Sequence, residues 1–332
     1  MHAIHLPLIV SNDTIMKPPY QITAKILNLI SEISVRLGEV SANYLNKYSP
    51  QLRKSNRIKT IHSSLQIEGN TLSLDQVSEL IENKPVVGPK KDITEVLNAI
   101  KVYEQLSTFE HNSEKSFLKA HKILMNGLIT NNGQYRKSGV GIMKGNRLTH
   151  LAPPSENIKF LMKDLFSYLK TSDDPALIKS SVFHYETEFI HPFSDGNGRM
   201  GRMWQTVILM SDFPLFEYLP FETLIGKNQK EYYSALSKSD KEGQSNIFIE
   251  FMLHTLNESL EDLLRYNNRI MTDMDRIEYF LSHNKSEFTR KDYMNIFKDI
   301  SSASASRDLK KAIELRLISK SGIQNTTRYR IN

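Results

Sequence analysis

Apolar residues recur every three or four positions over most of the chain, which is the spacing of one face of an α-helix. The first such stretch, residues 21–46, carries Ile26, Ile30, Ile33 and Leu37. Further helices are predicted over residues 55–68, 71–83, 92–106, 115–129, 155–170, 175–189, 199–210, 228–238 and 245–265. Gly69-Asn70 ends the helix over 55–68, because glycine is favoured just past a helix terminus. Asp174-Pro175 supplies a cap and a first-turn proline for the helix over 175–189.

Two regions depart from this spacing. Residues 133–154 hold four glycines, with β-branched residues around a Lys144-Gly145-Asn146 turn, and this predicts a short β-hairpin or flap. After residue 268, helical patterns over 274–283, 289–298 and 303–315 precede strand-like segments at 317–319 and 327–331. The pattern therefore predicts a mainly α protein with a small flap and a C-terminal module of helices and strands.

Composition narrows the function classes. The 332 residues include no Cys, which excludes a disulfide scaffold, thiolate-ligated metal sites and a cysteine nucleophile. The net charge of +6 indicates an anionic partner without naming one. The opening residues MHAIHLPLIV lack the features of a signal peptide, and no apolar run approaches 18 residues. We therefore expect a cytoplasmic protein that does not partner a membrane.

The stretch HPFSDGNGRMGR, residues 191–202, has the features of a phosphate site. Gly196 and Gly198 allow backbone N–H groups to converge on an anion, at the positive end of the helix that follows. Arg199 and Arg202 lie on one face of that helix, and two adjacent guanidiniums suit a polyphosphate.

Two residues of this stretch carry candidate chemistry. Asp195 offers a hard oxygen ligand beside the phosphates, where Mg²⁺ would keep most of its waters. His191 is a candidate general base, because a neutral imidazole can take a hydroxyl proton near pH 7.

The same stretch resembles the signature of Fic-domain proteins, His-x-Phe-x-Asp/Glu-Gly-Asn-Gly-Arg-x-x-Arg, and matches each of its fixed positions. HYETEFIHPF, GQYR…HLAPP and QKEYYSAL extend the resemblance over residues 50–265. It implies a Fic-type helical bundle. It also implies transfer of AMP from ATP to a Ser, Thr or Tyr hydroxyl of a target protein, or of the protein itself, with release of pyrophosphate.

The resemblance also implies roles for individual residues. His191 deprotonates the target hydroxyl, and Asp195 holds Mg²⁺ between the α- and β-phosphates. Phe193 packs in the core and anchors the loop. The nucleotide-binding set comprises Glu68, Ser194, Asp195, Gly196, Asn197 with its side chain, Gly198, Arg199, Arg202, Tyr232 and Tyr233. For one of the two tyrosines, simple helix packing is an equal alternative. The flap residues Ile142, Met143, Lys144 and Gly145 clamp the target backbone by strand pairing.

Ser64 and Glu68 are four residues apart and share a helix face. Glu68 lies in the last helical turn, where the helix dipole disfavours an anion, so it needs a cation partner. The segment SLQIEG, residues 64–69, resembles the autoinhibitory motif of Fic proteins, Ser/Thr-x-x-x-Glu-Gly/Asn. The resemblance implies that Glu68 pairs with Arg202 and that Ser64 supports this pair, so that ATP binds unproductively. Some relatives with such a glutamate also remove AMP from the target.

The C-terminal module resembles a winged helix-turn-helix, with SASASRDLKKAIELRLISKSG as recognition helix and wing start. Residues 305–332 contain seven basic and two acidic residues, enough for phosphate contacts with DNA. A solvated basic face on a protein-interaction or dimerisation module is the alternative, and self-association is common in the resembled family.

These features predict a helical arm over 1–50, a Fic core over 51–268 with an inhibitory helix at 55–69, and a winged-helix domain over 269–332. The leading hypothesis is an autoinhibited adenylyltransferase that uses ATP and Mg²⁺. One alternative is a nucleotide-sensing transcriptional regulator acting through the winged helix. Another is transfer of a phosphate or of a different nucleotide monophosphate.

Overall fold

The computed structural model describes residues 17–44, 50–139, 141–144, 147–270, 272–283, 287–297, 300–322 and 327–331. Contacts group the described residues of 1–34 and 48–257 into one compact unit, and those of 35–47 and 258–332 into another. The three-part division expected from the sequence stays a prediction, and residues 1–16 and 45–49 of the arm predicted over 1–50 lie outside the described residues.

The first unit is helical apart from one hairpin. Its elements are α1 (Ala24–Tyr44), α2 (Pro50–Ile67), α3 (Leu74–Ile81), α4 (Lys90–Tyr103), α5 (Glu114–Leu124), β1 (Gly141–Lys144), β2 (Arg147–Leu151), α6 (Ile158–Thr171), α7 (Ala176–Ile190), α8 (Asn197–Asp212), α9 (Glu222–Lys227), α10 (Gln229–Glu242) and α11 (Asn246–Ile270). The division between the two units falls within α1 and α11. None of the described helices is long and apolar enough to cross a membrane.

An aromatic cluster forms the centre of the first unit. The ring of Phe117 lies 5.1–5.6 Å, centroid to centroid, from the rings of Phe166, Phe183, Phe193 and Trp204. These five side chains are at most 3% exposed. Because α5, α6, α7 and α8 each contribute a ring, this cluster fixes the helices that carry the HPFSDGNGRMGR stretch.

The flap predicted over 133–154 is present as an antiparallel hairpin. Gly141 pairs with Leu151 and Lys144 with Arg147, with a register irregularity between Ile142 and Met143. The turn residue Gly145 and the side chains of the hairpin lie outside the described part of the chain.

Three local expectations need correction. The helix predicted to reach residue 129 ends at Leu124, because Gly127 takes a left-handed conformation with φ 72°. Short helices at α9 and at Pro214–Tyr218 were not predicted. Asp174 does not cap α7; its carboxylate accepts hydrogen bonds from Tyr20, from Tyr168 (3.1 Å) and from Ser172 (2.5 Å) instead.

The second unit contains α12 (Asp273–His283), α13 (Arg290–Ile296), α14 (Ser302–Glu314) and an antiparallel hairpin of β3 (Ile318–Ser321) and β4 (Arg328–Ile331). Its core is built from ten buried residues that include Phe280, Tyr293, Leu309 and Tyr329. The Arg276 guanidinium donates two hydrogen bonds to the buried Asp308 carboxylate, at 2.6 and 2.9 Å.

Candidate active site

The loop between α7 and α8 has an unusual backbone at both ends. His191 caps α7 with φ 50° and ψ 59°, and its N–H donates to the Thr187 carbonyl at 3.0 Å. Gly196, at φ 88°, occupies a left-handed conformation that side chains with a Cβ rarely adopt. Asn197 closes the loop: its Oδ1 accepts from the Phe193 N–H at 2.8 Å and its Nδ2 donates to the Phe193 carbonyl at 3.0 Å. The Asn197 side chain therefore stabilises the loop, and the phosphate contact expected of it stays a prediction.

His121 supports this loop from α5. Its ring stacks on Phe193 with centroids 3.5 Å apart and planes within 5°. Its Nδ1 accepts from the Gly133 N–H at 2.8 Å, so its Nε2 donates to the Asp195 carbonyl at 3.0 Å. Burial lowers the pKa of His121 to about 4, which keeps the ring neutral near pH 7.

Arg199 lies between two carboxylates. Its Nη1 is 3.1 Å from Glu95 Oε1 and its Nη2 is 2.9 Å from Asp195 Oδ1. The Asp195 side chain is 48% exposed, whereas those of Arg199 and Glu95 are 5% and 7% exposed. Asn70, two residues past Glu68, donates to Glu95 Oε2 at 2.8 Å. The segment after α2 is thus linked to Arg199 through Glu95.

Arg202 is fully buried and is held by the end of α2. Its Nη2 donates to Glu68 Oε1 at 2.7 Å and to the Ser64 carbonyl at 2.9 Å, and its Nε donates to Ser64 Oγ at 3.2 Å. Burial alone would lower the pKa of Arg202, but Glu68, Tyr232 and Glu188 together outweigh it and raise that pKa above its ordinary value. The contact between Glu68 and Arg202 expected from the resemblance is therefore present.

A second carboxylate, Glu188, lies beside the same arginine. Its Oε1 would be 3.0 Å from a Cβ placed on Gly198, and Arg202 Nη1 would be 3.1 Å from that Cβ. Tyr232 donates from its hydroxyl to Glu188 Oε1 at 3.1 Å, and the same hydroxyl is hydrogen-bonded to His184 Nε2 at 2.9 Å. Burial lowers the pKa of His184 to about 3, so it adds no positive charge.

The remaining expected site residues are placed as follows. Tyr232 is fully buried and Tyr233 is 41% exposed, so only Tyr233 presents its ring at the surface. Ser194 is exposed and donates to Asn131 Oδ1 at 2.9 Å. Ile142, Met143 and Lys144 form β1, described by backbone alone, and Gly145 lies outside the described residues.

Sequence reasoning missed Glu95, Glu188 and His121. Each is a polar residue on a helix that packs in the core. Glu95, for example, lies beside Val96 and Ala99 on α4, and these three α4 residues are at most 6% exposed. A charged residue at a core position is a signal that a sequence carries, because burying a charge without a partner is costly. The signal identifies such residues without identifying their partners.

Comparison with known proteins adds an independent line of observation. Residues 112–209 match the model of the Fic/DOC family. The chain is 29% identical over 232 residues to protein adenylyltransferase fic-1 of Caenorhabditis elegans, and 28% identical over 260 residues to protein adenylyltransferase Fic of Nematostella vectensis. These alignments cover 65% and 74% of this chain but only 42% and 57% of the relatives, so the chain spans about half their length.

Solved structures of Fic proteins are also similar to this chain. The C. elegans Fic-1 structure (residues 134–508) matches with a TM-score of 0.61 at 21% identity over 72% of each chain, which supports the fold. The crystal structure of a Fic family protein from Desulfovibrio desulfuricans G20 matches with a TM-score of 0.74 at 38% identity, covering 96% of this chain and 98% of that one. With the HPFSDGNGRMGR loop placed between two helices as described above, this chain belongs to the Fic family.

Proposed function

We propose that this protein transfers AMP from ATP to a Ser, Thr or Tyr hydroxyl of a protein substrate, itself included, and that Glu68 restrains this transfer. The adenylyltransferase names of the relatives from C. elegans and N. vectensis support the reaction. The observation that carries the proposal is the 191–198 loop, followed by two buried guanidiniums at the start of α8.

The reaction needs a base and a held triphosphate. The hydroxyl oxygen attacks the α-phosphorus and forms a new P–O bond, while the bond from that phosphorus to the oxygen bridging to the β-phosphate breaks. Pyrophosphate leaves with that oxygen, and His191 takes the hydroxyl proton. His191 caps α7 where the loop begins, and its N–H donates to the Thr187 carbonyl at 3.0 Å, so its backbone is held beside the loop, which supports this role.

Each of the two arginines has one N–H donor nitrogen that is not hydrogen-bonded among the described residues. Arg199 Nε and Arg202 Nη1 are buried, and neither has a hydrogen-bond partner among the described residues. A buried donor without a partner is costly, so these nitrogens favour a ligand rich in acceptor oxygens. A polyphosphate over Gly198 and the α8 N-terminus would supply those oxygens.

The local charge explains why the reaction would need Mg²⁺. Four carboxylates (Glu68, Glu95, Asp195 and Glu188) surround two guanidiniums, so a triphosphate would enter a site that is already negative. The described residues contain no group of three or more His, Cys, Asp or Glu side chains that could hold a metal alone. Mg²⁺ commonly binds through one or two carboxylates and substrate phosphates. Asp195, half exposed, would hold the ion, which would neutralise charge on the phosphates.

The pairing of Glu68 with Arg202 supports restraint. The carboxylate occupies the guanidinium that would hold the terminal phosphates, and it also lies against Gly198, where those phosphates would pass. ATP and the carboxylate would therefore compete for one place. Displacing Glu68 would leave Arg202 bonded to Ser64 and ready for a phosphate.

The test is incorporation of label from ATP by the full chain. Glu68→Gly should incorporate label from α-³²P-ATP strongly, wild type weakly, and Glu68→Gly with His191→Ala not at all. Glu104→Gly, the same substitution at the exposed C-cap of α4, should match wild type. Equal labelling of wild type and Glu68→Gly would refute the restraint.

The same experiment separates the alternative reactions. Label from γ-³²P-ATP would indicate phosphate transfer, and efficient labelling from other α-³²P-nucleotides would indicate a different nucleotide donor. Incubating labelled protein with wild type and measuring released AMP tests for AMP removal. Undetectable transfer by Glu68→Gly, with ATP bound, would favour a nucleotide sensor over an enzyme.

We also propose that the second unit binds DNA as a winged helix. Arg328 and Arg330 alternate with the buried Tyr329 on β4, so both arginines are exposed on one face, and Lys320 is exposed on β3. This supports phosphate contacts by the hairpin, with α14 as the recognition helix. Not all the basic residues are available, since Lys311 Nζ pairs with Asp273 at 2.8 Å. A gel shift that weakens as salt rises would support DNA binding, and none at low salt would favour a protein-interaction module.

Self-association and a cytoplasmic location stay predictions from the sequence.

A further inference from the structure

Arg136 is a buried charge whose partners are all main-chain carbonyls. The residue is 2% exposed. Its Nε donates to the His191 carbonyl at 2.7 Å, its Nη1 to that of Ser138 at 2.6 Å, and its Nη2 to those of Pro153 at 2.6 Å and Ile190 at 3.3 Å. Among the described residues, no carboxylate pairs with Arg136. Burial lowers the pKa of this guanidinium.

These four carbonyls belong to three separate segments. Ser138 precedes β1 and Pro153 follows β2, so one guanidinium joins both ends of the flap hairpin. Ile190 and His191 form the end of α7, and the Arg136 N–H adds a bond to the Pro192 carbonyl at 2.9 Å. The flap and the turn that carries the candidate base are therefore fastened to the same side chain.

The residue type matters for this arrangement. Arginine presents five N–H donors in a planar fork, and three of its nitrogens are used here in three directions. A lysine ammonium at the same place has three donors on one atom and cannot reach carbonyls on opposite sides. His191 has φ 50°, a conformation that a non-glycine residue keeps only when its surroundings hold it.

We infer that Arg136 is a positioning residue, which fixes the flap relative to His191 so that a protein hydroxyl docked on the flap meets the imidazole. The inference rests on the proposed function, in which the flap pairs with the substrate backbone. It goes beyond that function because it assigns the coupling between docking and proton transfer to one side chain. Arg136 touches neither ATP nor substrate in this scheme, so it would act through the backbone of residues 190–192.

The test compares Arg136→Lys and Arg136→Gln, each in the Glu68→Gly background. Arg276→Lys serves as matched control, since it also removes a buried guanidinium fork, in the second unit. We expect kcat for self-modification from α-³²P-ATP to fall 10- to 100-fold in both Arg136 variants, with KM and Kd for ATP within about threefold. The control should keep the parent kcat.

Amide hydrogen exchange gives a second readout that does not depend on activity. Exchange in 137–154 and 190–193 should quicken together in the Arg136 variants, while exchange in α4 and α10 stays at the parent rate. Self-modification and exchange at parent values in a folded Arg136 variant would overturn the inference, as would ATP affinity falling in step with kcat. If Arg136→Gln does not fold, Arg136→Lys decides. If Glu68→Gly itself transfers no AMP, the proposed function fails, and coupled exchange of the two segments still decides for or against Arg136.

Discussion

Replacing Glu68 by glutamine separates the charge of this side chain from its volume. Glutamine keeps the size of glutamate and still offers Arg202 an acceptor oxygen, but it removes the negative charge. Glu68→Gly removes both charge and volume. The two variants therefore distinguish a site blocked by an ion pair from a site blocked by bulk.

The structure sets the size of the expected effect. The closest atoms of the pair are 2.7 Å apart, Arg202 is fully buried, and the Glu68 side chain is 31% exposed. Two charges about 4 Å apart attract by about 4 kcal/mol in a medium like the protein surface, before desolvation is counted. Partial exposure and the remaining Ser64 bonds reduce the net value to about 1–3 kcal/mol, the usual size of a coupling free energy. A coupling of that size suppresses the productive ATP pose about 5- to 150-fold.

Initial rates of self-modification with saturating α-³²P-ATP measure this coupling. We expect Glu68→Gln to exceed wild type by about 5- to 150-fold and to lie within about threefold of Glu68→Gly. Calorimetry should show that ATP affinity rises in the same order. If Glu68→Gln labels as weakly as wild type while Glu68→Gly labels strongly, volume rather than charge blocks the site, and the electrostatic reasoning is wrong.

Further predictions concern buried groups around the site. Burial raises the pKa of Glu222 to about 8, so its proton is kept on folding and stability should fall as pH rises between about 4.5 and 8, by up to about 1.4 kcal/mol per pH unit. Glu222→Gln should flatten that part of the urea-unfolding profile, and an unchanged slope would contradict the assignment. Gly198→Ala places a methyl group against Glu68, Glu188 and Arg202, where the phosphates would pass, and should weaken ATP binding at least tenfold in calorimetry, with the far-UV circular dichroism spectrum retained. Tyr232→Phe leaves the buried His184 without its hydroxyl partner and should cost about 1–3 kcal/mol in urea unfolding, whereas Tyr233→Phe, at a surface ring, should cost less than 0.5 kcal/mol.

The parts of the fold and of the site that depend on residues close together in the sequence were predictable. The loop at 191–198 is one contiguous stretch, so its two glycines and the start of α8 follow from local conformational preference. The flap hairpin likewise follows from local signals, namely glycines and a turn within 133–154. The contact of Glu68 with Arg202 joins residues 134 positions apart, and it was predictable only because both ends lie in recognisable motifs.

Partners that meet only through packing were not predictable in this way. Arg136 contacts the backbone carbonyls of residues 138, 153, 190 and 191. Because every residue has such a carbonyl, the sequence does not indicate which of them an arginine will contact. Its GQYR context indicates a family feature without showing what the guanidinium holds. The same applies to His121, whose stack on Phe193 requires α5 and the loop to be placed first.

The interior of α7 shows how far a sequence signal reaches. Ser181, His184 and Glu188 are spaced by three and four residues, so they form one polar stripe along a helix that is otherwise buried. A stripe of this kind must face polar partners, because unpaired groups in the core are costly. The sequence thus requires a polar counterpart for α7, but Gln205 on α8 and Tyr232 on α10 are identified only when the helices pack. That stripe ends at Glu188, which lies beside Arg202. The polar side chains along α7 therefore lead directly to the charged side chains of the candidate active site.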